Sequence, residues 1–561
     1  MKKKLLSLAL ALFMVLAFLP ASVMAEGSEN TTYNVSSVSE FNDAITKAQD
    51  GDTIIINSDL VIPNTSITKR VNLKGGNEGV AITGNITYQF SSDQENNTLS
   101  IEGITFNAPG ANTIGLKFSG DGPNVGYNLN INVKNCVFSG YSYALAVNSH
   151  ANKYTLNVSD CDFSSSKYAV NFNRDTETSG QIADNTLVFG SNNVINPDGY
   201  AVETFGNTVD TLVKSAKTIE DFKNGLFGAV VNSEESLRKA YETDGFKLVY
   251  LDSDITLSST LNITKDLTIE GQGKTISGNN DSAYVAFNHT DGTFTMNNVV
   301  LKGFGGNAAV GSGKAVVKTD GVNAKLYMSN VTIEDFNRAA VDIVSANDFV
   351  LDSLDIDCNN SYTGSNELTK GIKVGFDPEG NRAKGTIVNT NIKNSASNYE
   401  EWSSSGIEIY DGADVTIKGG SISNCETGIW VDNYWSGSNG FEGYAKDSSV
   451  VIEGIDIDAD DAVILYSREG QTSKANVKIN SGTFNGDIVT VDTTESNSIT
   501  VGPDAVVRGE ISEGVVVIKP ETPSTPVCAG SKDKNCDGVV TCDEEKGEGK
   551  TSYTVVNTAA K

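Results

Sequence analysis

The sequence predicts an all-β chain built from two tandem parallel β-helices, and three observations lead to this fold class. Residues 33 to about 164 repeat 195 or 196 positions later, so that ITKRVNLKGG from Ile67 matches ITKDLTIEGQ from Ile263. The pattern V-x-x-C-x-F ends at Phe138 and again, 25 residues later, at Phe163. Short runs of alternating apolar residues fill both copies, and helical periodicity is rare. Repeats of roughly 20 to 30 residues with this alternation are typical of a solenoid whose coils share one elongated core.

An export signal is predicted at residues 1–25. Lysines at positions 2–4 precede the mostly apolar run 5–19, and small residues before and at Ala25 suit cleavage. A membrane-spanning helix, the alternative, needs about 20 apolar residues and is longer than this run. Loss of the three lysines with the signal changes the net charge from -29 to -32. So acidic a surface disfavours nucleic acid as a partner.

A short amphipathic helix is predicted at the start of each copy. Ser37 and Glu40 have the spacing of a capping box. The apolar faces contain Phe41, Ala44, Ile45 and Ala48 in the first copy and Leu237, Ala240 and Tyr241 in the second. Each helix is expected to cover the open end of a core, where the first coil would otherwise expose apolar side chains and an unpaired strand edge.

Short strands such as Thr53–Ile56 follow the helices, separated by Gly, Asn and Asp clusters that favour turns. We assign residues 26–206 to the first β-helix, 207–228 to a helical connector and 229–518 to the second β-helix. A β-sandwich is the alternative, but it does not explain a motif repeated at 25 residues.

Five segments of the second β-helix have the form x-apolar-x-apolar and align as successive coils. They are residues 340–343, 371–374, 406–409, 428–431 and 462–465. Their spacings of 31, 35, 22 and 34 residues indicate loops of different length that leave one side of the helix.

The seven cysteines fall into two groups. Those within the repeats are Cys136, Cys161, Cys358 and Cys425. We expect these four to be buried free thiols, with Cys136 stacked one coil above Cys161. The other three lie in a tail at residues 528–561, which follows a stiff Pro/Thr spacer at 519–527.

The tail carries the strongest local motif, because residues 533–544 match the calcium loop D-x-[DN]-x-[DN]-G-x5-E. Ca2+ takes about six to eight oxygen ligands in flexible geometry. The expected ligands are the side chains of Asp533, Asn535, Asp537 and Glu544, the carbonyl of Val539, and Thr541 through water. A disulfide from Cys528 to Cys536 or Cys542 would fix the segment in an oxidising compartment. The alternative is an acidic, unstructured tail that matches by chance.

Aromatic residues concentrate in the second β-helix, where all three tryptophans lie between residues 402 and 435. The glycan-binding candidates are Trp402, Tyr410, Trp430, Tyr434 and Trp435. If Ile429 and Val431 face inward, strand alternation places Trp430 outward, beside Glu408 and Lys373 of neighbouring coils. Sugar rings stack on exposed aromatic rings, and carboxylates hold sugar hydroxyls. The alternative is that long loops fold over the sheet and bury the rings.

Catalytic candidates are fewer. Glu408, Asp411 and Asp432 could place two carboxylates across a groove, as glycoside hydrolysis requires, and Lys373 is a fourth candidate. The two histidines, His150 and His289, have no acid or nucleophile at a sequence spacing that indicates catalysis, and we expect both at the surface.

DGDTIII at residues 50–56, LTIEGQGKTISG at 267–278 and the repeated coils resemble right-handed parallel β-helix proteins of the pectin-lyase-like superfamily. The resemblance covers nearly all of residues 33–518 and implies the fold rather than an activity, because this architecture hosts lyases, hydrolases and adhesins. Asp460-Asp461 precedes an apolar strand as the Asp pair of polygalacturonase-like members does, but their G-H-G motif is missing. Lys373 near Glu408 is the nearest counterpart of the base in pectate-lyase-like members. The tail resembles a dockerin-like calcium module that has one loop instead of two.

These features predict an exported bacterial surface protein that acts as an adhesin or binds glycans. Its expected partner is an extracellular polysaccharide or a host or cell-surface glycoprotein, with Ca2+ in the tail, no membrane insertion and a monomeric chain. The alternative function is a polysaccharide lyase or glycoside hydrolase acting on a glycan along the second β-helix. A third possibility, a spacer without a ligand, applies to the first β-helix.

Overall fold

Parallel β-strands are the dominant element of the computed structural model. It describes residues 30–90, 97–120, 129–147, 153–172, 185–190, 192–204, 214–278, 285–304, 314–336, 338–358, 369–375, 377, 381–395, 404–432, 446–466, 473–491 and 497–519. Contacts divide the chain into unit 1, residues 1–231, and unit 2, residues 232–561. The predicted all-β class with parallel sheets is confirmed. Among the described residues, no helix has the length and apolarity needed to span a membrane.

Unit 1 stacks its coils as three sheets. Its strands are β1 (Thr32–Val35), β2 (Thr53–Ile56), β3 (Leu60–Val61), β4 (Thr65–Ile67), β5 (Asn72–Gly75), β6 (Ala81–Thr83), β7 (Ile86–Phe90), β8 (Asn97–Glu102), β9 (Thr105–Asn107), β10 (Ile114–Gly120), β11 (Leu129–Lys134), β12 (Val137–Ser139), β13 (Tyr143–Val147), β14 (Tyr154–Ser159), β15 (Asp162–Ser165), β16 (Tyr168–Phe172), β17 (Thr186–Phe189), β18 (Val194–Ile195), β19 (Tyr200–Thr204), β20 (Lys214–Ala216) and β21 (Gly228–Val231). The sheets run β1-β2-β5-β8-β11-β14-β17, β3-β6-β9-β12-β15-β18 and β4-β7-β10-β13-β16-β19. The last of these continues antiparallel through β20 to β21.

Helix α1 (Val38–Lys47) packs Phe41 and Ala44 into the core of unit 1. The Ser37 side chain accepts a hydrogen bond from the backbone N–H of Glu40, as predicted. The Glu40 carboxylate accepts from the backbone N–H of Ser36 at 2.7 Å, whereas in a capping box it would accept from that of Ser37. Helix α2 (Ile219–Lys223) has a complete capping box, in which Thr218 and Asp221 cap each other.

The interior of unit 1 is a ladder of repeated side chains. The two V-x-x-C-x-F motifs lie in register, with Val133 opposite Val158. Phe138 stacks on Phe106 at 5.0 Å and on Phe163 at 5.2 Å between ring centroids. The four cysteines of the repeats are buried free thiols, which confirms that prediction.

Unit 2 begins with helix α3 (Glu234–Arg238), which continues as a π-helical turn, Lys239–Thr243, and buries Leu237, Ala240 and Tyr241. Its strands are β22 (Leu248–Leu251), β23 (Ile255–Leu257), β24 (Leu261–Ile263), β25 (Leu267–Gly278), β26 (Phe287–His289), β27 (Thr293–Lys302), β28 (Ala315–Glu334), β29 (Ala339–Asp352), β30 (Asp355–Asp357), β31 (Thr369–Val374), β32 (Ala383–Val388), β33 (Asn391–Lys393), β34 (Ser404–Ile409), β35 (Ala413–Lys418), β36 (Ser421–Asp432), β37 (Ser448–Glu453), β38 (Ile455–Tyr466), β39 (Ala475–Val491), β40 (Ser498–Val507) and β41 (Val516–Val517).

The coil alignment predicted for unit 2 is confirmed by the parallel register of β29, β31, β34, β36 and β38. Val341, Ile372, Ile407, Ile429 and Val463 lie directly opposite one another in successive coils. All five are buried, so the residues that follow each of them point outward.

The inward and outward alternation of side chains along the strand is interrupted one residue before this buried column. A Cβ on Gly371 would lie 2.7 Å from Cγ2 of Ile392, a core residue, so this position faces inward. Gly406 and Gly428 meet core isoleucines in the same way, at 2.6 and 2.5 Å. Two consecutive residues therefore face the core in each coil, and Lys370 and its equivalents point outward instead of inward.

The prediction that His289 lies at the surface is wrong. His289 is fully buried in β26, with Nδ1 3.4 Å from Oγ1 of Thr319 and Nε2 3.1 Å from the carbonyl of Gly292. Burial lowers the pKa of the imidazole. His289 faces the core as Phe287, two residues earlier, does. The sequence did not indicate this, because a polar histidine is not counted as an inward residue of an alternating strand. His150 lies outside the described residues.

Candidate functional site

The candidate site lies on the outward surface of β29, β31, β34, β36 and β38, which we call the coil face. One column of this surface contains Asp342, Lys373, Glu408 and Trp430, each directly opposite the next in the parallel register. Glu408 thus lies between Lys373 and Trp430, as the sequence alignment predicts. A second column, two residues further along, contains Asp432 directly opposite Tyr466, and Tyr410 follows Glu408 at the same interval, just after the end of β34.

Glu408 is the centre of a hydrogen-bonded cluster. Its buried carboxylate forms an ion pair with Lys370, whose Nζ contacts both oxygens. Oγ of Ser405 donates to Oε1 and the hydroxyl of Tyr410 donates to Oε2, each at 2.6 Å. Burial by itself would raise the pKa of Glu408, but the Lys370 charge and these donors outweigh it and hold the pKa below its ordinary value. The site therefore holds an ionised carboxylate.

Lys373 pairs with Asp342 rather than with Glu408. Its Nζ lies 3.3 Å from Oδ1 of Asp342 and 5.4 Å from the ring centroid of Tyr410. Burial raises the pKa of Tyr410, and the negative charges of Glu408, Asp432 and Asp342 raise it further. Tyr410 is therefore a neutral hydrogen-bond donor over the whole physiological range.

The aromatic part of the coil face adjoins this cluster. The ring of Trp430 lies on Tyr466 of the next coil, with centroids 5.6 Å apart and planes at 32°. Nε1 of Trp430 donates to Oδ2 of Asp432 at 3.3 Å. Trp430, Tyr466 and Tyr410 are half-buried, so part of each ring reaches the surface. Trp402, Tyr434 and Trp435 lie outside the described residues.

The remaining carboxylates differ in position. Asp411 follows the end of β34 and is buried, with Oδ1 accepting from Oγ of Ser473 at 2.7 Å. Asp461 lies opposite Thr427, one coil beyond it. Burial raises the pKa of Asp461, and the nearby charges of Asp487 and Asp460 add to the effect.

The predicted calcium loop, residues 533–544, lies outside the described residues. Within the described ranges no group of three or more His, Cys, Asp or Glu side chains is arranged to hold a metal ion. Ca2+ binding by the tail therefore stays a prediction.

Three residues of the site were not identified from the sequence. Lys370 and Ser405 have the phase of inward residues under strict alternation, and Tyr466 lies outside the aromatic segment 402–435. The available signal was the run of small residues in one column, Ala340, Gly371, Gly406, Gly428 and Ala462. A position that accepts only Gly or Ala in five coils indicates a side chain pressed into the core, which turns the preceding residue outward.

No protein-family model and no curated protein matches the sequence. Several solved structures resemble the chain at low similarity. The SRRP of L. reuteri 53608 is 15% identical over 52% of this chain and 99% of its own, with a TM-score of 0.33. The PL6 family alginate lyase AlyGC is 11% identical over 87% of this chain and 100% of its own, at 0.31. Tailspike protein 3 of bacteriophage CBA120 is 9% identical over 96% of this chain and 68% of its own, at 0.21. TM-scores this low do not establish the fold, which is assigned from the parallel strand register.

Proposed function

We propose that this protein is an exported surface protein of the adhesin type that binds glycans on the coil face of unit 2. The observation that carries the proposal is the Trp430–Tyr466 pair, which forms a ring surface beside Asp432 on a regular sheet. An aromatic platform with a carboxylate at its edge suits a sugar, whose ring face is apolar and whose rim carries hydroxyl donors. The expected partner is a polysaccharide or a cell-surface glycoprotein.

Parallel coils support the binding of an extended chain. Neighbouring strands of a sheet lie about 4.8 Å apart, so the same outward position recurs at this interval along the coil face. Glu408, Trp430 and Tyr466 belong to three successive coils and so span roughly 10 Å, about the length of two sugar residues.

Trp430→Ala is expected to weaken glycan binding by about tenfold or more, since a stacked aromatic ring contributes on the order of 1–2 kcal/mol. The measurement is a glycan-array screen followed by calorimetric titration with the best ligand. The matched control is Tyr327→Ala. Tyr327 is also half-buried and hydrogen-bonded to an aspartate, Asp348 at 2.8 Å, but its neighbours in register, Thr295 and Val350, belong to a different column from Trp430 and Tyr466. Equal affinities for the wild type and Trp430→Ala would contradict the placement of the site.

A second candidate function, glycoside hydrolysis, is favoured by one observation. Asp461 has a raised pKa and lies on the coil face directly opposite Thr427, so it has the character of a proton donor. If the protein is a hydrolase, Asp461→Asn abolishes reducing-sugar release. For a glycan-binding protein we expect no sugar release from the wild type on any polysaccharide that it binds.

Two further features of the proposal concern the ends of the chain. We propose that residues 1–25 direct export and that the tail binds Ca2+ through Asp533, Asn535, Asp537, Val539, Thr541 and Glu544. Because these ligands all lie after the Pro/Thr spacer, chelation should leave glycan binding by unit 2 unchanged.

A further inference from the structure

The charges on the coil face are arranged as two buried ion pairs. In the Lys370–Glu408 pair the side chains are 13% and 6% exposed, and in the Lys373–Asp342 pair they are 10% and 13% exposed. Both lysines therefore have carboxylate partners within the protein. The opposite holds at a site that recognises acidic ligands, where cationic groups face the ligand and carboxylates are few.

A polyuronate carries one carboxylate on every sugar. To bind it, Lys370 would have to turn from Glu408, which would leave that carboxylate buried without its counter-charge. The net charge of -29 adds a long-range repulsion of an acidic chain.

A neutral sugar meets none of these obstacles. Its ring face can stack on Trp430 and Tyr466, and its hydroxyls need no cationic partner, so both lysine ion pairs stay intact. From this arrangement we infer that the coil face selects a neutral glycan, built from hexoses or N-acetylhexosamines, and rejects polyuronates. The inference rests on the proposed glycan-binding function and adds the substrate class.

The test compares neutral and acidic oligosaccharides on the full-length protein by calorimetric titration in low salt. The probes are hexamers of glucose, mannose and N-acetylglucosamine on one side and hexagalacturonate on the other. We expect at least one neutral hexamer to bind about tenfold more tightly than hexagalacturonate. Tighter or equal binding of hexagalacturonate overturns the inference and leaves the proposed function standing. Binding of no probe overturns the proposed function, and the inference falls with it.

A substitution tests the role of the ion pair directly. Glu408→Gln removes the counter-charge of Lys370, and we expect it to raise the affinity for hexagalacturonate about tenfold in low salt, a gain that high salt suppresses. The matched control is Glu453→Gln, which makes the same chemical change in the exposed pair with Lys418, at 3.8 Å and with side chains 39% and 54% exposed. We expect that control to change the affinity less than twofold.

A second variant keeps the test decisive if Glu408→Gln does not fold. Asp342→Asn removes the carboxylate charge that faces Lys373 in the other pair, and its expected gain in hexagalacturonate affinity is similar. Circular dichroism establishes which variants are folded. If a folded variant binds hexagalacturonate no better than the wild type, then the ion pairs are not what prevents the lysines from binding acidic sugars, and the inference is overturned.

Discussion

Lys370→Met is expected to lower the free energy of unfolding of unit 2 by about 3–5 kcal/mol at pH 7. The substitution keeps most of the aliphatic side chain but removes the cation that contacts both oxygens of Glu408. Glu408 is 5% exposed, so its carboxylate would remain in a poorly hydrated site with only the hydroxyls of Ser405 and Tyr410 as donors among its known partners. Urea unfolding followed by circular dichroism measures the loss.

Two comparisons separate the charge from other effects of Lys370→Met. Lys418→Met removes the cation of an exposed pair in the same unit, and we expect a loss below about 1 kcal/mol. Adding Glu408→Gln to Lys370→Met removes the stranded charge and should recover a large part of the stability. If the double variant is as unstable as Lys370→Met, then the loss comes from packing and not from the buried carboxylate.

The pH dependence of these variants has a defined sign. In the wild type the pKa of Glu408 is depressed, so its contribution to stability is present above the unfolded pKa of about 4.3 and is lost as the pH falls through the folded value. Without Lys370, burial raises the folded pKa instead, and stability falls as the pH rises above about 4.3. The stability difference between the wild type and Lys370→Met should therefore grow from pH 4 to pH 7. An equal difference at both values would contradict this account.

The register of the coil face could be predicted from the sequence because apolar pairs fix it. Ile407 with Ile409 and Ile429 with Val431 admit one alignment that buries all four, since a shift of one residue would expose them. That alignment alone places Trp430 beside Glu408. Burial of an apolar pair in every coil is a strong constraint, and it repeats often enough to be recognised in a single sequence.

The partners of the charged residues could not be predicted in the same way. The pairing of Glu408 with Lys370 depends on the local break in alternation at Gly371, which is a backbone feature without an apolar signature of its own. Register alone suggested Lys373, the direct neighbour of Glu408, whereas the side chain of Lys373 reaches back to Asp342. Lys373 has a carboxylate directly opposite it in both neighbouring coils, Asp342 and Glu408, so adjacency in register does not determine which ion pair forms.

The break in alternation has a function in this arrangement, because it adds a third outward column to the coil face. Lys370 and Ser405 lie directly opposite each other in that column, and both contact Glu408. Strict alternation would turn both of them inward and leave Glu408 without its cation. The small residues of the neighbouring column are therefore a condition for the charge arrangement of the site.

Gly406→Ala should accordingly destabilise unit 2 by about 1–3 kcal/mol and weaken glycan binding as well. The added Cβ would lie 2.6 Å from Cγ2 of Ile422 and 2.7 Å from the carbonyl oxygen of Gly428, and the backbone contact cannot be relieved by a side-chain rotation. The strand must shift outward, which moves the Ser405 and Glu408 groups on either side of it. Urea unfolding and calorimetric titration of one protein preparation measure both effects.

Gly110→Ala is the matched control for this prediction. A Cβ at Gly110 has no heavy atom within 4 Å, and the backbone there is not in the left-handed region. Its expected stability change is below about 0.5 kcal/mol, with either sign, because the substitution also reduces the freedom of the unfolded chain. If Gly406→Ala behaves like Gly110→Ala, the inward column is not tightly packed. The outward turn of Lys370 and Ser405 would then need another cause, and the lysine that neutralises Glu408 would no longer be fixed by the packing of the coil beneath it.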